Sequence, residues 1–122
     1  MGMLYSVDQA RAVLREIRPL VVDLIAVRAD TAELGAAHRQ GVPSPLGGLP
    51  ELKAAQARFD ELVSSIVAHD LEVKGIAPLL LDFPAELDGV PILLCWLEGD
   101  TDVEWYHRAD AGFAGRRPLP PG

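Results

Sequence analysis

Residues 79–99 read LLLDFPAELDGVPILLCWLEG, two apolar runs joined by the dipeptide Asp88-Gly89. Asp-Gly between apolar runs is typical of a two-residue hairpin turn. A second turn signal, rich in acidic residues, lies at 98–102 and separates a third apolar segment. The pattern therefore predicts a three-stranded antiparallel β-meander within residues 71–108.

The first half of the chain has helical periodicity instead. Apolar residues recur every three or four positions over 10–34 and again over 52–69. Ser6 and Gln9 have the spacing of a capping box at the start of the first helix. The Gly- and Pro-rich segment 41–48 predicts the loop between two antiparallel helices.

Together these elements predict an α+β fold. A long N-terminal antiparallel helical hairpin over 7–70 is followed by the β-meander over 71–108 and an irregular C-terminal tail over 109–122. The chain has 122 residues, enough to bury its own core, so we expect 1–122 to form a single domain.

The composition disfavours several classes of protein. No apolar run approaches the roughly 20 residues that cross a bilayer, so no membrane partner is expected. The net charge of −7 leaves no broad basic face for nucleic acid. The single cysteine cannot form an internal disulfide, and the N-terminus lacks a signal-peptide pattern, so we expect a cytoplasmic location.

The predicted hairpin turn also fixes which side chains share a face of the sheet. If Leu87 pairs with Val90, Asp82 lies opposite Cys95 on one face. The other face is apolar and is expected to be buried. Its residues include Leu81, Phe83 and Trp96.

The side on which His107 lies depends on the length of the second turn. An odd number of loop residues puts Cys95, Trp105 and His107 on one face, whereas an even number turns His107 away. In the odd case, Asp82, Cys95 and His107 offer a carboxylate, a thiolate and an imidazole suited to zinc. No Cys-x-x-Cys or His-x-x-x-His spacing is present, so a buried structural cysteine and a hydrogen-bonded histidine are the competing interpretation.

The C-terminal tail offers a second kind of site. Residues 112–117 read GFAGRR, in which Phe113 can dock on the sheet while the arginines reach an anion. We therefore expect a small anionic ligand in the cleft between tail and sheet. The predicted ligand-binding residues are Trp105, His107, Arg116 and Arg117. In the alternative interpretation, the two arginines pair with carboxylates of the protein itself.

The first helix has more apolar surface than one partner helix would cover. Leu14, Val21 and Ile25 widen its apolar stripe. Either the C-terminal sheet or a second subunit must cover this surplus, and we expect a homodimer formed through the helical hairpin.

Four segments of the chain resemble a known family. They are LDFPA at 81–85, LCW at 94–96, WYH at 105–107 and DAGFAGRRP at 110–118. In this order they resemble a family of small prokaryotic proteins catalogued as domain of unknown function 2203, which also begins with long helices. The resemblance implies a shared fold and supplies no activity, substrate or cofactor.

No reaction motif emerges from the sequence, so the function and any cofactor are not defined by it. The first hypothesis is a small cytosolic binding or interaction module that self-associates. The alternative is a metal-binding protein of the zinc type, or a hydrolase, that uses Asp82, Cys95 and His107. No catalytic residue is predicted.

Overall fold

The computed structural model describes residues 3–120, in which two α-helices precede one antiparallel sheet. The helices are α1 (Val7–Gln40) and α2 (Leu49–Val67). The strands are β1 (Glu72–Ile76), β2 (Leu79–Leu87), β3 (Val90–Leu97), β4 (Trp105–Arg108) and β5 (Arg117–Pro118). They lie side by side in chain order, and every neighbouring pair is antiparallel. The predicted α+β class is confirmed.

The predicted number of strands is wrong, because a short edge strand lies on each side of the predicted meander. Strand β1 includes Lys74 and Gly75 and has no fully buried residue, so it lacks the apolar run that marks a strand in sequence. Strand β5 has two residues, and one is Pro118, which cannot donate to a ladder. The tail is also less irregular than predicted, since a 3₁₀ turn at Phe113–Gly115 precedes β5.

The start of α1 has the predicted capping box. The Ser6 backbone N–H donates to Gln9 Oε1 over 2.9 Å, and the Gln9 N–H donates to Ser6 Oγ over 3.1 Å. The helix continues without interruption through Pro19. It ends before Gly41, whose positive φ of 67° is the left-handed conformation common after a helix.

The described residues form two compact units, and α1 belongs partly to each. One unit comprises Ile17–Ile66, where Arg58 of α2 lies 3.9 Å from Asp23 of α1. The other unit combines the chain up to Glu16 with the chain from Val67 onward, and so contains the whole sheet. Over the described residues, neither helix is long and apolar enough to cross a membrane.

The hairpin of β2 and β3 has the predicted register. Leu87 pairs with Val90, and Asp82 pairs with Cys95. The turn residues Asp88 and Gly89 have φ values of 51° and 79°, as a type I′ turn requires. The predicted burial is also confirmed for the apolar face, where three side chains are at most 2% exposed: Leu81, Phe83 and Trp96.

The residues that precede α1 cover part of this apolar face. The Tyr5 ring packs edge-on against Phe83, with 5.2 Å between ring centroids. The Tyr5 backbone N–H also donates to the carbonyl of Pro84 over 2.7 Å. β1 pairs with β2 only as far as Asp82, so the backbone of β2 at Pro84 has no partner on β1. The Tyr5 N–H provides a hydrogen bond to this open edge of β2.

The apolar stripe that motivated the dimer prediction is largely covered within the single chain. Leu14 is 0% exposed and Val21 is 2% exposed, while Ile25 is half-buried. The surplus of apolar surface inferred from the sequence is therefore not free for a second subunit. The structure gives no support to the predicted homodimer.

Candidate functional site

The second turn places His107 on the same face of the sheet as Asp82. Cys95 pairs with Trp105, and Leu93 pairs with His107. This is the odd-numbered turn of the two alternatives, so Cys95, Trp105 and His107 share a face.

Asp82 and His107 form a buried side-chain pair at this face. His107 Nε2 lies 3.2 Å from Asp82 Oδ2, and the two residues are only 4% and 1% exposed. The other ring nitrogen, Nδ1, lies 2.9 Å from the carbonyl oxygen of Arg108 and 2.7 Å from that of Ala111. Because carbonyl oxygens only accept, Nδ1 must carry a hydrogen.

This arrangement requires a second proton between the two side chains. With its hydrogen on Nδ1, a neutral His107 would turn a lone pair on Nε2 towards a carboxylate oxygen, which is repulsive. The contact with Asp82 Oδ2 is favourable when one proton lies between Nε2 and Oδ2. The pair is then either an imidazolium with a carboxylate or a neutral imidazole with a carboxylic acid. Both forms have a net charge of zero.

Burial and the local hydrogen bonds favour retention of this proton. Burial raises the pKa of Asp82, and the charge and hydrogen bond of His107 only partly oppose it. Burial would lower the pKa of His107. The carbonyl of Arg108, the charge of Asp82 and the carbonyl of Ala111 outweigh that effect, so the pKa of His107 is raised.

The pair lines a cavity of about 270 Å³ between the sheet and the tail. The polar lining residues are Lys74, Asp82 and His107. The apolar lining includes Leu80, Leu93 and Phe113. Asp82 Oδ1, the oxygen that does not face His107, is buried and has no hydrogen-bond partner among the described residues. An unpaired buried acceptor is uncommon in folded proteins, and here it belongs to a residue that lines the cavity, so we take the cavity as a candidate site.

Arg116 holds the tail beside this cavity. Its Nη1 donates to Asp100 Oδ2 over 3.1 Å, and that oxygen also accepts the Leu97 backbone N–H over 2.9 Å. The guanidinium carbon lies 4.4 Å from the ring centroid of Trp105 and 5.0 Å from that of Phe113. Both arrangements are cation–π contacts, so the guanidinium is engaged with the protein itself.

The four predicted ligand-binding residues therefore lie in three different settings. Trp105 and Arg116 stack on each other, and His107 lines the cavity. Arg117 is exposed on β5, where it pairs with Tyr106 rather than with a residue of the cavity face. For Arg116, the alternative interpretation of pairing with the protein's own carboxylates matches the observed contact with Asp100.

The surroundings of Cys95 do not resemble a zinc site. It is 0% exposed, and burial raises the pKa of its thiol to about 11. The space beside Sγ already holds a cation, because Arg116 Nη1 lies 3.9 Å away. Over residues 3–120, no group of three or more His, Cys, Asp or Glu residues is placed to hold a metal ion. The zinc site at Asp82, Cys95 and His107 has no support from this geometry.

Sequence reasoning missed two residues that shape the site. Val73 pairs with Leu81 and Gly75 with Leu80, so Lys74 is the extra residue of a β-bulge. The signal in the sequence was Gly75 next to Lys74, because a glycine inside a strand often indicates a bulge. Asp100, which holds Arg116, lies in an acidic turn that resembled a solvated loop.

These features define a small α+β protein with a small cavity on one face of its sheet. The chain belongs to the uncharacterized conserved protein family DUF2203, whose model matches residues 3–119. The resemblance inferred from the sequence motifs is confirmed. No curated protein and no solved structure matches the chain.

Proposed function

We propose that this chain is a binding module that holds a small molecule in the cavity between the sheet and the tail. The observation that carries the proposal is the buried Oδ1 of Asp82, which has no hydrogen-bond partner among residues 3–120. Such an unmet acceptor costs about 1–3 kcal/mol of folding stability. A ligand that donates a hydrogen bond to this oxygen would recover that free energy.

The lining of the cavity supports this proposal. Small-molecule sites are concave and largely apolar, with a few polar groups that fix the orientation of the ligand. Here Leu80, Leu93 and Phe113 supply the apolar surface, and Asp82 and His107 supply the polar groups. The volume of about 270 Å³ lies just below the range of roughly 300–1,000 Å³ that suits drug-sized ligands, so the ligand is small.

The same lining favours binding over nucleophilic catalysis. None of the described residues that line the cavity is a serine, threonine or cysteine. The nearby Cys95 is fully buried, and its thiol is neutral at pH 7. The Asp82–His107 pair can hold and orient a polar group, which is the chemistry of a binding site.

Two predictions from the sequence lie outside this proposal. Self-association through the helical hairpin is not included in the proposal, because Leu14 and Val21 are buried within the chain. A cytoplasmic location remains a prediction that rests on the single cysteine.

A fragment screen by NMR with two variants of Asp82 tests the proposed site. Fragments that bind should shift the ring signals of His107 and the backbone signals of Phe113. Asp82→Asn keeps an oxygen acceptor and should retain binding, whereas Asp82→Leu removes the acceptor and should abolish it. Thermal melting checks that each variant is folded, and Asp60→Asn on the exposed side of α2 is the control. The proposal fails if no fragment shifts these signals, or if folded Asp82→Leu binds as well as the wild type.

A further inference from the structure

We infer that the ligand is a small organic acid with a hydroxyl or amino group, bound with that group at Asp82 Oδ1 and its carboxylate at Lys74. This inference rests on the proposed ligand site and names the class of molecule that fits it. It follows from three properties of the cavity: Oδ1 can only accept a hydrogen bond, the lining has a net positive charge, and the rest of the lining is largely apolar.

The first property is that Oδ1 can only accept a hydrogen bond. The proton of the Asp82–His107 pair lies between Oδ2 and Nε2, which are 3.2 Å apart. Whether this proton belongs to the carboxyl group or to the ring, Oδ1 carries no hydrogen. A ligand that satisfies Oδ1 must therefore bring an O–H or N–H group to this oxygen.

The second property is the charge of the lining. With one shared proton, Asp82 and His107 together have no net charge. Lys74 is the only other charged residue among the described lining residues, so the lining has a single net positive charge. Its partner Glu72 lies outside the lining at 3.6 Å, and both side chains are about half exposed. Such an exposed ion pair is weak, so a ligand carboxylate can compete for the ammonium group.

The position of Lys74 at the cavity is built into the backbone. Glu72 pairs with Asp82, so Lys74, two residues further along β1, lies on the same face of the sheet as Asp82. The β-bulge between Val73 and Gly75 leaves Lys74 without a paired residue on β2. A Cβ at Gly75 would lie 3.3 Å from the Pro78 carbonyl oxygen, so the close turn beside the bulge favours glycine.

The third property is the apolar part of the lining. Leu80 and Leu93 come from neighbouring strands, and Phe113 comes from the tail. These side chains suit a short hydrocarbon chain or one aromatic ring. Burial of that part of the ligand supplies affinity, while Lys74 and Asp82 fix its direction.

Titration with matched probes tests this class of ligand. The probes are 4-hydroxybenzoate and 4-hydroxybutyrate, compared with benzoate and butyrate, which lack the hydroxyl, and with phenol, which lacks the carboxylate. We expect each hydroxy acid to bind about fivefold to tenfold more tightly than its matched acid, because one hydrogen bond to a buried acceptor is gained. Lys74→Gln should lower the affinity for both hydroxy acids and leave phenol binding unchanged. Lys53→Gln, on the exposed surface of α2, is the matched control.

The possible results separate this inference from the proposed function. If fragments shift the His107 signals but benzoate binds as tightly as 4-hydroxybenzoate, the cavity is a site and the inferred ligand class is wrong. The class is also overturned if Lys74→Gln leaves the affinity for both hydroxy acids unchanged. If no probe and no fragment shifts the His107 signals, the proposed site itself fails.

Discussion

His107 links the buried carboxyl of Asp82 to the backbone of the C-terminal tail. One ring nitrogen lies 3.2 Å from Asp82 Oδ2, and the other donates to the carbonyl of Ala111 over 2.7 Å. The tail thus fixes the orientation of the ring and the hydrogen on Nδ1, and this hydrogen determines how the ring can meet Asp82. The polar end of the cavity therefore depends on the tail that covers it.

The first prediction concerns the tautomer of His107. Its neutral ring should carry the hydrogen on Nδ1, and its pKa should be above the ordinary value of 6.5. Long-range ¹H–¹⁵N spectra of the histidine rings, recorded across a pH titration, report both properties. An Nε2–H tautomer at high pH, or titration of His107 below 6.5, would show that the carbonyls of Arg108 and Ala111 do not act as described.

The second prediction is the pH dependence of stability. The pKa values of Asp82 and His107 are both raised, so the folded state holds these protons more tightly than the unfolded state. The free energy of unfolding then falls as pH rises above the ordinary values of 3.8 and 6.5. Urea denaturation should show that the stability of the wild type relative to Asp82→Asn decreases as the pH is raised. Asp60→Asn is the control for the effect of removing a surface carboxylate. A stability difference between the wild type and Asp82→Asn that grows with pH would contradict this prediction.

The third prediction is that Asp100 holds the tail in place. Asp100→Asn keeps an acceptor for the Leu97 N–H but removes the charge that attracts Arg116. Limited trypsin digestion should therefore cleave after Arg108 faster in this variant, while the melting temperature changes little. Equal cleavage rates in Asp100→Asn and the wild type would mean that the cation–π contacts with Trp105 and Phe113 suffice without the ion pair.

The fourth prediction compares the two tryptophans. Trp96 is 2% exposed and its indole N–H donates to the Asp100 carbonyl over 2.9 Å, whereas Trp105 is only half-buried. Trp96→Ala should cost about 3–5 kcal/mol of unfolding free energy, because it leaves a large cavity in the core. Trp105→Ala should cost clearly less in the same denaturation measurement. Similar losses for the two variants would argue against the assignment of Trp96 to the core.

The parts of the fold that were predictable from sequence depend on local signals. Asp88-Gly89 specifies a two-residue turn, and this turn alone sets Asp82 opposite Cys95. Ser6 and Gln9 similarly mark the start of α1 through hydrogen bonds three residues apart. Each of these features is decided by neighbours in the chain, so one sequence is enough to find it.

The remaining features depend on contacts between distant residues. The face of the sheet on which His107 lies depends on the number of residues in the acidic second turn. The positions of Gly and Pro do not define where this turn begins and ends. Strand β5 exists because Arg117 and Pro118 reach β4, and their own strand propensity is low. Lys74 lies at the cavity because β1 pairs with β2 and sets Glu72 opposite Asp82, a pairing that no local signal in the sequence marks. For these reasons the sequence predicted Asp82 and His107 as site residues but did not predict Lys74.

A crystal structure of the chain soaked with 4-hydroxybenzoate is the most direct test of the central claim, that Asp82 Oδ1 is the acceptor of a ligand site. The account predicts electron density for the ligand in the cavity, with its hydroxyl about 2.5–3.0 Å from Oδ1 and its carboxylate beside Lys74. A structure at saturating ligand in which Oδ1 bonds to another protein group and the cavity holds no ligand would contradict the account.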